Sequence, residues 1–116
     1  MKIHSLLVPV DDLGSAVEFL TSNLGCVVKI RDGDRYCALD AGGQMLALVS
    51  GEERVVDTIS LVVRVDDINA AVASIVEGGG QLLSPPHEGP HEVRAVVTGV
   101  GGVPMVLSAR RPSVGS

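Results

Sequence analysis

Residues 3–10 alternate apolar with small or polar side chains and predict a β-strand. Asp11 and Asp12 follow, and their side chains suit the first turn of a helix. Leu13, Ala16, Val17, Leu20 and Leu24 then recur at helical spacing, a stripe that lets one helix face pack on a sheet. Gly25 supplies the stop, because glycine accepts the left-handed conformation that closes helices. A strand from Cys26 to Ile30 and a turn at Asp32-Gly33 come next. A hairpin of Arg35–Leu39 with Gln44–Val49, around Asp40-Ala41-Gly42-Gly43, completes a β-α-β-β-β order.

The same order is then repeated. Residues 50–57 are a linker, and a strand at 58–65 leads to a helix at 67–77 with Ile68, Ala71, Val72, Ile75 and Val76 inward. Gly78-Gly79-Gly80 ends that helix; a strand at 81–84, a long loop and a hairpin of 93–98 with 103–109 follow. The two copies match in detail. At an offset of 55, Ser5-Leu6 matches Ser60-Leu61, Val8-Pro9-Val10-Asp11-Asp12-Leu13 matches Val63-Arg64-Val65-Asp66-Asp67-Ile68, and Gly25 matches Gly80. At an offset of 59, Arg35 matches Arg94 and Gly42-Gly43 matches Gly101-Gly102. The change, 59 − 55, predicts a four-residue insertion in the loop from Ser84 to Glu92.

A repeat of this kind makes each copy one supersecondary unit packed on the other. The expected fold is α+β: two tandem βαβββ modules, 3–50 and 57–109, forming a shared curved-sheet cleft within one domain spanning 1–116. Residues 110–116 have nothing to pack against and are expected to be a mobile tail.

Composition narrows the partners. Net charge is −5 with no basic run, which argues against nucleic acid. No apolar stretch is long enough to span a bilayer, so no membrane partner is expected. Met1-Lys2-Ile3-His4 enters a strand directly without a signal-peptide pattern, and a cytoplasmic location is expected. Cys26 and Cys37 lack metal-type spacing and are expected to be buried free thiols.

Two modules, each opening with a strand into Asp-Asp-Leu or Asp-Asp-Ile, resemble the vicinal oxygen chelate superfamily of glyoxalase I, extradiol dioxygenases and fosfomycin- and bleomycin-resistance proteins. Val8–Leu13 and Glu18–Gly25 carry most of the likeness, with Leu20 where tyrosine is usual. The turn Gly99-Val100-Gly101-Gly102 stands where relatives often carry Asp-Pro-Asp-Gly. The resemblance implies a homodimer. It also implies a divalent ion in metal-dependent members, held by His or Glu on the first and last strand of each module. Those positions fall here on Ser5, Ala47, Ser60 and Val106, a set with no competent ligand among the alkyl groups and only weak ones in the serines. No metal, cofactor or catalytic residue is therefore assigned.

Several residues invite chemistry. His4 lies one residue from a ligand position, but a one-residue step flips a strand side chain to the other face, so it is expected on the helix-packed face or at the strand edge. His87-Glu88-Gly89-Pro90-His91 matches H-E-x-x-H, yet that motif needs a helix, which Pro85, Pro86 and Pro90 oppose. It is expected to be a loop, with His87, His91 and Glu92 at the cleft mouth as the alternative to a solvated one. Arg35 and Arg94 are expected to face solvent, the alternative being the cleft.

On the parity that sends Ser5 and Ser60 inward, the cleft is lined by Leu7, Tyr36, Met45, Ala47, Thr58, Val62, Val106 and Ser108, with Val49 and Pro104. Tyr36 is placed there by pairing residue 39 with 44. This is a small apolar chamber with a few hydroxyls, suited to a small-molecule ligand. The sequence favours a metal-free binding protein, in ligand sequestration or antibiotic resistance. A metal-independent isomerase or lyase on a carbonyl compound, using Tyr36, His87, His91 or Glu92, and a cleft-filled interaction protein are the alternatives.

Overall fold

The computed structural model describes residues 1–89 and 92–111, with the Val100 side chain left aside. Two compact units emerge, one of Ser5–Ser60 and the other from Leu61 onward together with Met1–His4. Strand β1 (Lys2–Pro9) thus contributes its first residues to the second unit and the remainder to the first.

In the first unit, β1 is followed by α1 (Leu13–Leu24), β2 (Val27–Asp32), β3 (Tyr36–Ala41) and β4 (Gln44–Val49). The strand order is β2-β3-β4-β1, with β1 parallel to β4 and the other pairs antiparallel. Helix α1 packs Leu13, Ala16, Val17 and Leu20 of the predicted stripe against Cys37, Leu39 and Leu48, while Leu24, at the helix end, is exposed. Both cysteines are free and buried, and burial raises the Cys37 thiol pKa despite the Arg31 charge, so this thiol is protonated and inert at neutral pH.

The second unit repeats the plan with β5 (Ser60–Arg64), α2 (Ile68–Glu77), β6 (Leu82–Glu88), β7 (Glu92–Thr98) and β8 (Pro104–Arg110). The order is β6-β7-β8-β5, again with one parallel pair, β5 with β8. Ile68, Ala71, Val72 and Ile75 of α2 pack on Val63, Ala95, Val97 and Leu107.

The repeat is physical as well as textual. Asp12 and Asp67 each cap a helix by accepting from the backbone N–H three residues on, Ser15 and Ala70, both at 3.0 Å. Gly25 and Gly80 donate to Leu20 and Ile75 carbonyls, the same bond 55 residues apart. The left-handed turn itself is made by Gly25 (φ 70°) in the first copy and by Gly79 (φ 103°) in the second.

Four expectations need correction. The stretch from Ser84 is not a loop: β6 runs to Glu88, with register irregularities flanking Ser84 that absorb extra residues. Pro85 and Pro86 are tolerated because β6 is the outer strand of its unit, where a missing N–H breaks no ladder. The first hairpin pairs Ala41 with Gln44 and Leu39 with Leu46, not 39 with 44. The shift is two residues, so Tyr36 keeps its face. Finally, Arg110 ends β8, and Arg111 is held by Glu88 (3.1 Å) and the Gly89 carbonyl (3.3 Å). Residues 112–116 of the expected tail, and Pro90 and His91, lie outside the described residues.

The fourth correction concerns Arg94. Val49 and Ser108 are repeat mates (108 − 49 = 59), but Val49 pairs with Tyr36 while Ser108 pairs with Arg94. The structural mate of Arg94 is therefore Tyr36, at an offset of 58, and not Arg35. Three of the four inserted residues precede β7 (58 − 55 = 3), and the fourth lies in the loop between Thr98 and Pro104 (59 − 58 = 1).

Candidate functional site

Each unit has a sheet face opposite its helix. In the first unit, pairing of Leu7 with Ala47, Ala47 with Ala38 and Val49 with Tyr36 sets these side chains on that face, with Ser5 and Met45 in the same alternation. Ser5, Leu7, Ala38, Ala47 and Val49 are buried; Tyr36 and Met45 are half-buried. Thr58 is exposed ahead of β5, and its carbonyl accepts the Ser60 hydroxyl at 2.9 Å.

In the second unit the equivalent face carries Val62, Val96 and Val106 at its centre, all buried. Arg64, Ser108 and Arg94 follow along the same ladder, Arg64 opposite Ser108 and Ser108 opposite Arg94. Glu92 sits two residues before Arg94 and so shares its face. The Ser108 hydroxyl donates to Glu92 Oε2 at 2.7 Å, Arg94 Nε donates to Glu92 Oε1, and Arg64 Nη2 stands 3.6 Å from Oε2. Ser108 is fully buried, and the three charged side chains are each about one-quarter exposed (23–26%).

These groups set each other's charge. Burial alone would raise the Glu92 pKa, but the Ser108 hydrogen bond, the Arg94 charge and hydrogen bond, and the Arg64 charge outweigh it and hold the carboxyl below its ordinary range. Glu92 is an ionised acceptor at neutral pH. His4, at the exposed start of β1, feels the same group: partial burial and then Arg64 lower its pKa, with Glu92 opposing, so its ring is neutral at neutral pH.

The arrangement departs from the sequence expectation in three places. Arg94 faces Glu92 and Ser108 and not solvent, because its register follows Tyr36. Glu92 opens β7 and is half-buried, not a loop residue. Arg64 was not singled out at all; the clue available was that Pro9 occupies its place in the first copy. Arg35 is exposed and pairs with Asp32 at 3.1 Å. His87 lies opposite Arg94 on β6 and is exposed. A separate groove of about 540 Å³ lies on the helix side, lined by Asp66, Asp67, His87, Glu88 and Arg110 among others.

The chain matches the profile of the Glyoxalase/Bleomycin resistance protein/Dioxygenase superfamily over residues 2–106. It belongs to that superfamily. A relative in Mycolicibacterium smegmatis, an uncharacterized protein, is 30% identical over 97 residues, 83% of each chain. Among solved structures, the fold is similar to a glyoxalase/bleomycin resistance protein/dioxygenase superfamily member from Vibrio splendidus 12B01 (TM-score 0.73, 15% identity, 90% of this chain and 96% of that one). It is also similar to methylmalonyl-CoA epimerase from Mycobacterium tuberculosis (TM-score 0.71, 21% identity, 96% and 89%). At these identities the structural likeness speaks to the fold.

Ser5, Ala47, Ser60 and Val106 are the residues that the sequence resemblance implied for the ligand positions of metal-dependent members. All four are buried, and two offer only alkyl groups. Among the described residues no three His, Cys, Asp or Glu side chains are grouped to hold a metal ion. The donor set does not fit a divalent ion, which needs several lone pairs from carboxylates or imidazoles. No helix in the described residues is long and apolar enough to cross a membrane.

Proposed function

We propose that this chain is a metal-free small-molecule-binding protein of its superfamily. The observation that carries the reading is the state of Glu92. A general acid or base must exchange its proton near neutral pH. Glu92 instead carries a lowered pKa, with both oxygens committed to Ser108 and Arg94. That is the chemistry of a fixed recognition element. Tyr36 lies opposite Val49 on the first unit's face, in the same alternation as Ala38. Binding at a cleft shared by the two modules, within a homodimer in the cytoplasm, is the setting proposed.

The burial of Val62, Val96 and Val106 supports a second reading, in which the apolar centre is packed with side chains and the protein acts through its surface. A thermal-shift screen against small metabolites and antibiotics separates the two. Saturable stabilisation by one compound class supports ligand binding. A silent screen, with protein partners recovered through a surface variant set, overturns it in favour of the second reading.

A further inference from the structure

Arg64 is the cation on the second unit's face whose bonding is incomplete. Its Nη2 lies 3.6 Å from Glu92, beyond a good hydrogen bond, while both Glu92 oxygens are bonded more closely by Ser108 and Arg94. Its Nε is buried and has no hydrogen-bond partner among the described residues. A buried donor left without an acceptor costs about 1–3 kcal/mol, so such groups mark places where an acceptor is missing. The side chain as a whole is still about one-quarter exposed (26%).

The first copy shows that the fold does not require this group. Where the second module has Arg64, Arg94 and Ser108, the first has Pro9, Tyr36 and Val49 on the same ladders. Both modules fold with the same helix caps and strand order, so the arginine and its frame are additional to the architecture. Glu92 neutralises the closer arginine, and His4 is neutral beside Arg64 at neutral pH. Arg64, Arg94 and Arg110, opposite Glu92 on the ladder, thus place more positive than negative charge around this carboxylate, in a chain whose net charge is −5.

We infer that Arg64 anchors the carboxylate of a small organic acid, with Glu92, Ser108 and Arg94 as the frame that holds the guanidinium in place. A planar guanidinium presents paired N–H donors that match a carboxylate, and a negative charge is favoured beside it. This rests on the small-molecule-binding reading and names the ligand class for it.

The test is a titration of the full chain with butyrate, its neutral isostere butyramide, and inorganic phosphate, read on the arginine Nε–H resonances by NMR. Butyrate is expected to shift the Arg64 resonance saturably, and about tenfold more tightly than butyramide or phosphate. R64Q removes the preference, and R64K, which keeps the charge without the Nε donor, loses most of it. If R64Q fails to fold, the wild-type butyrate-to-butyramide ratio and R64K still decide. Equal binding of butyrate and butyramide overturns the carboxylate inference while leaving small-molecule binding intact. Preference for phosphate overturns it in favour of a generic anion site. An Arg64 resonance unmoved by all three overturns it as well, and a silent metabolite screen in addition removes the binding reading beneath it.

Discussion

Ser108 donates its hydroxyl to Glu92 Oε2 at 2.7 Å, diagonally across the β7–β8 ladder, where the direct partners are Arg94 for Ser108 and Arg110 for Glu92. The diagonal contact ties the acid to a fully buried donor and leaves its other oxygen for Arg94. One hydroxyl thereby fixes where the negative charge sits relative to two arginines.

Replacing Ser108 with alanine removes that donor and leaves a half-buried carboxylate oxygen short of a partner. Hydrogen bonds to charged groups contribute about 1.5–3 kcal/mol, and water reaching the partly exposed Glu92 recovers some of it. The expected loss for S108A is about 1–2 kcal/mol in urea unfolding, with a rise in the Glu92 pKa measurable by NMR titration. An unchanged Glu92 pKa would show that the hydroxyl does not govern the acid.

Glu92 also sets an acid dependence of stability. Its folded pKa lies below the ordinary 4.5, so the unfolded chain binds the proton more readily. Its contribution is fully present above about pH 4.5 and is lost as pH falls through the lower folded value. E92Q is expected to cost about 1–3 kcal/mol at pH 7, because Arg94 and Arg64 lose their counter-charge in a partly screened site. The difference between wild type and E92Q should shrink on acidification. A difference constant down to pH 2 would mean that the fold does not lower the Glu92 pKa.

At Gly80 the constraint is space. A methyl there would stand 2.5 Å from Ile75 Cγ2 and 3.1 Å from both the Ile75 and Thr98 carbonyl oxygens. G80A is expected to destabilise by about 1–3 kcal/mol through overpacking. At Gly14, in the first turn of α1, a methyl would stand 3.6 Å from Asp12 Oδ1 and 3.8 Å from Arg31 Nη2, and G14A is expected to be neutral or slightly stabilising. Equal melting temperatures for the two variants would contradict the packing at the end of α2.

The architecture was readable because the repeat left marks that each have one physical meaning: a capping aspartate, an apolar stripe, a glycine stop. Asp12 and Asp67, and Gly25 and Gly80, do the same work in both copies. The candidate site was harder to read because it depends on parity. One residue gained between Thr98 and Pro104 moved the mate of Arg94 from Arg35 to Tyr36, and an arginine expected in solvent turned to face Glu92. Ser108 alternates onto the sheet face opposite the helix, but nothing in spacing alone joins it to Glu92, sixteen residues away (108 − 92 = 16). Arg64 escaped notice because it sits within a matching stretch, and only the contrast with Pro9 sets it apart. The proline pair suggested a loop where an outer strand accommodates both residues.

The central claim, that this member of the superfamily works without a metal, is tested most directly by elemental analysis of the purified protein after exposure to nickel, zinc, iron and manganese and then gel filtration. The residues at Ser5, Ala47, Ser60 and Val106 predict far less than one equivalent of any of the four. One stoichiometric equivalent retained by the wild type would contradict the account.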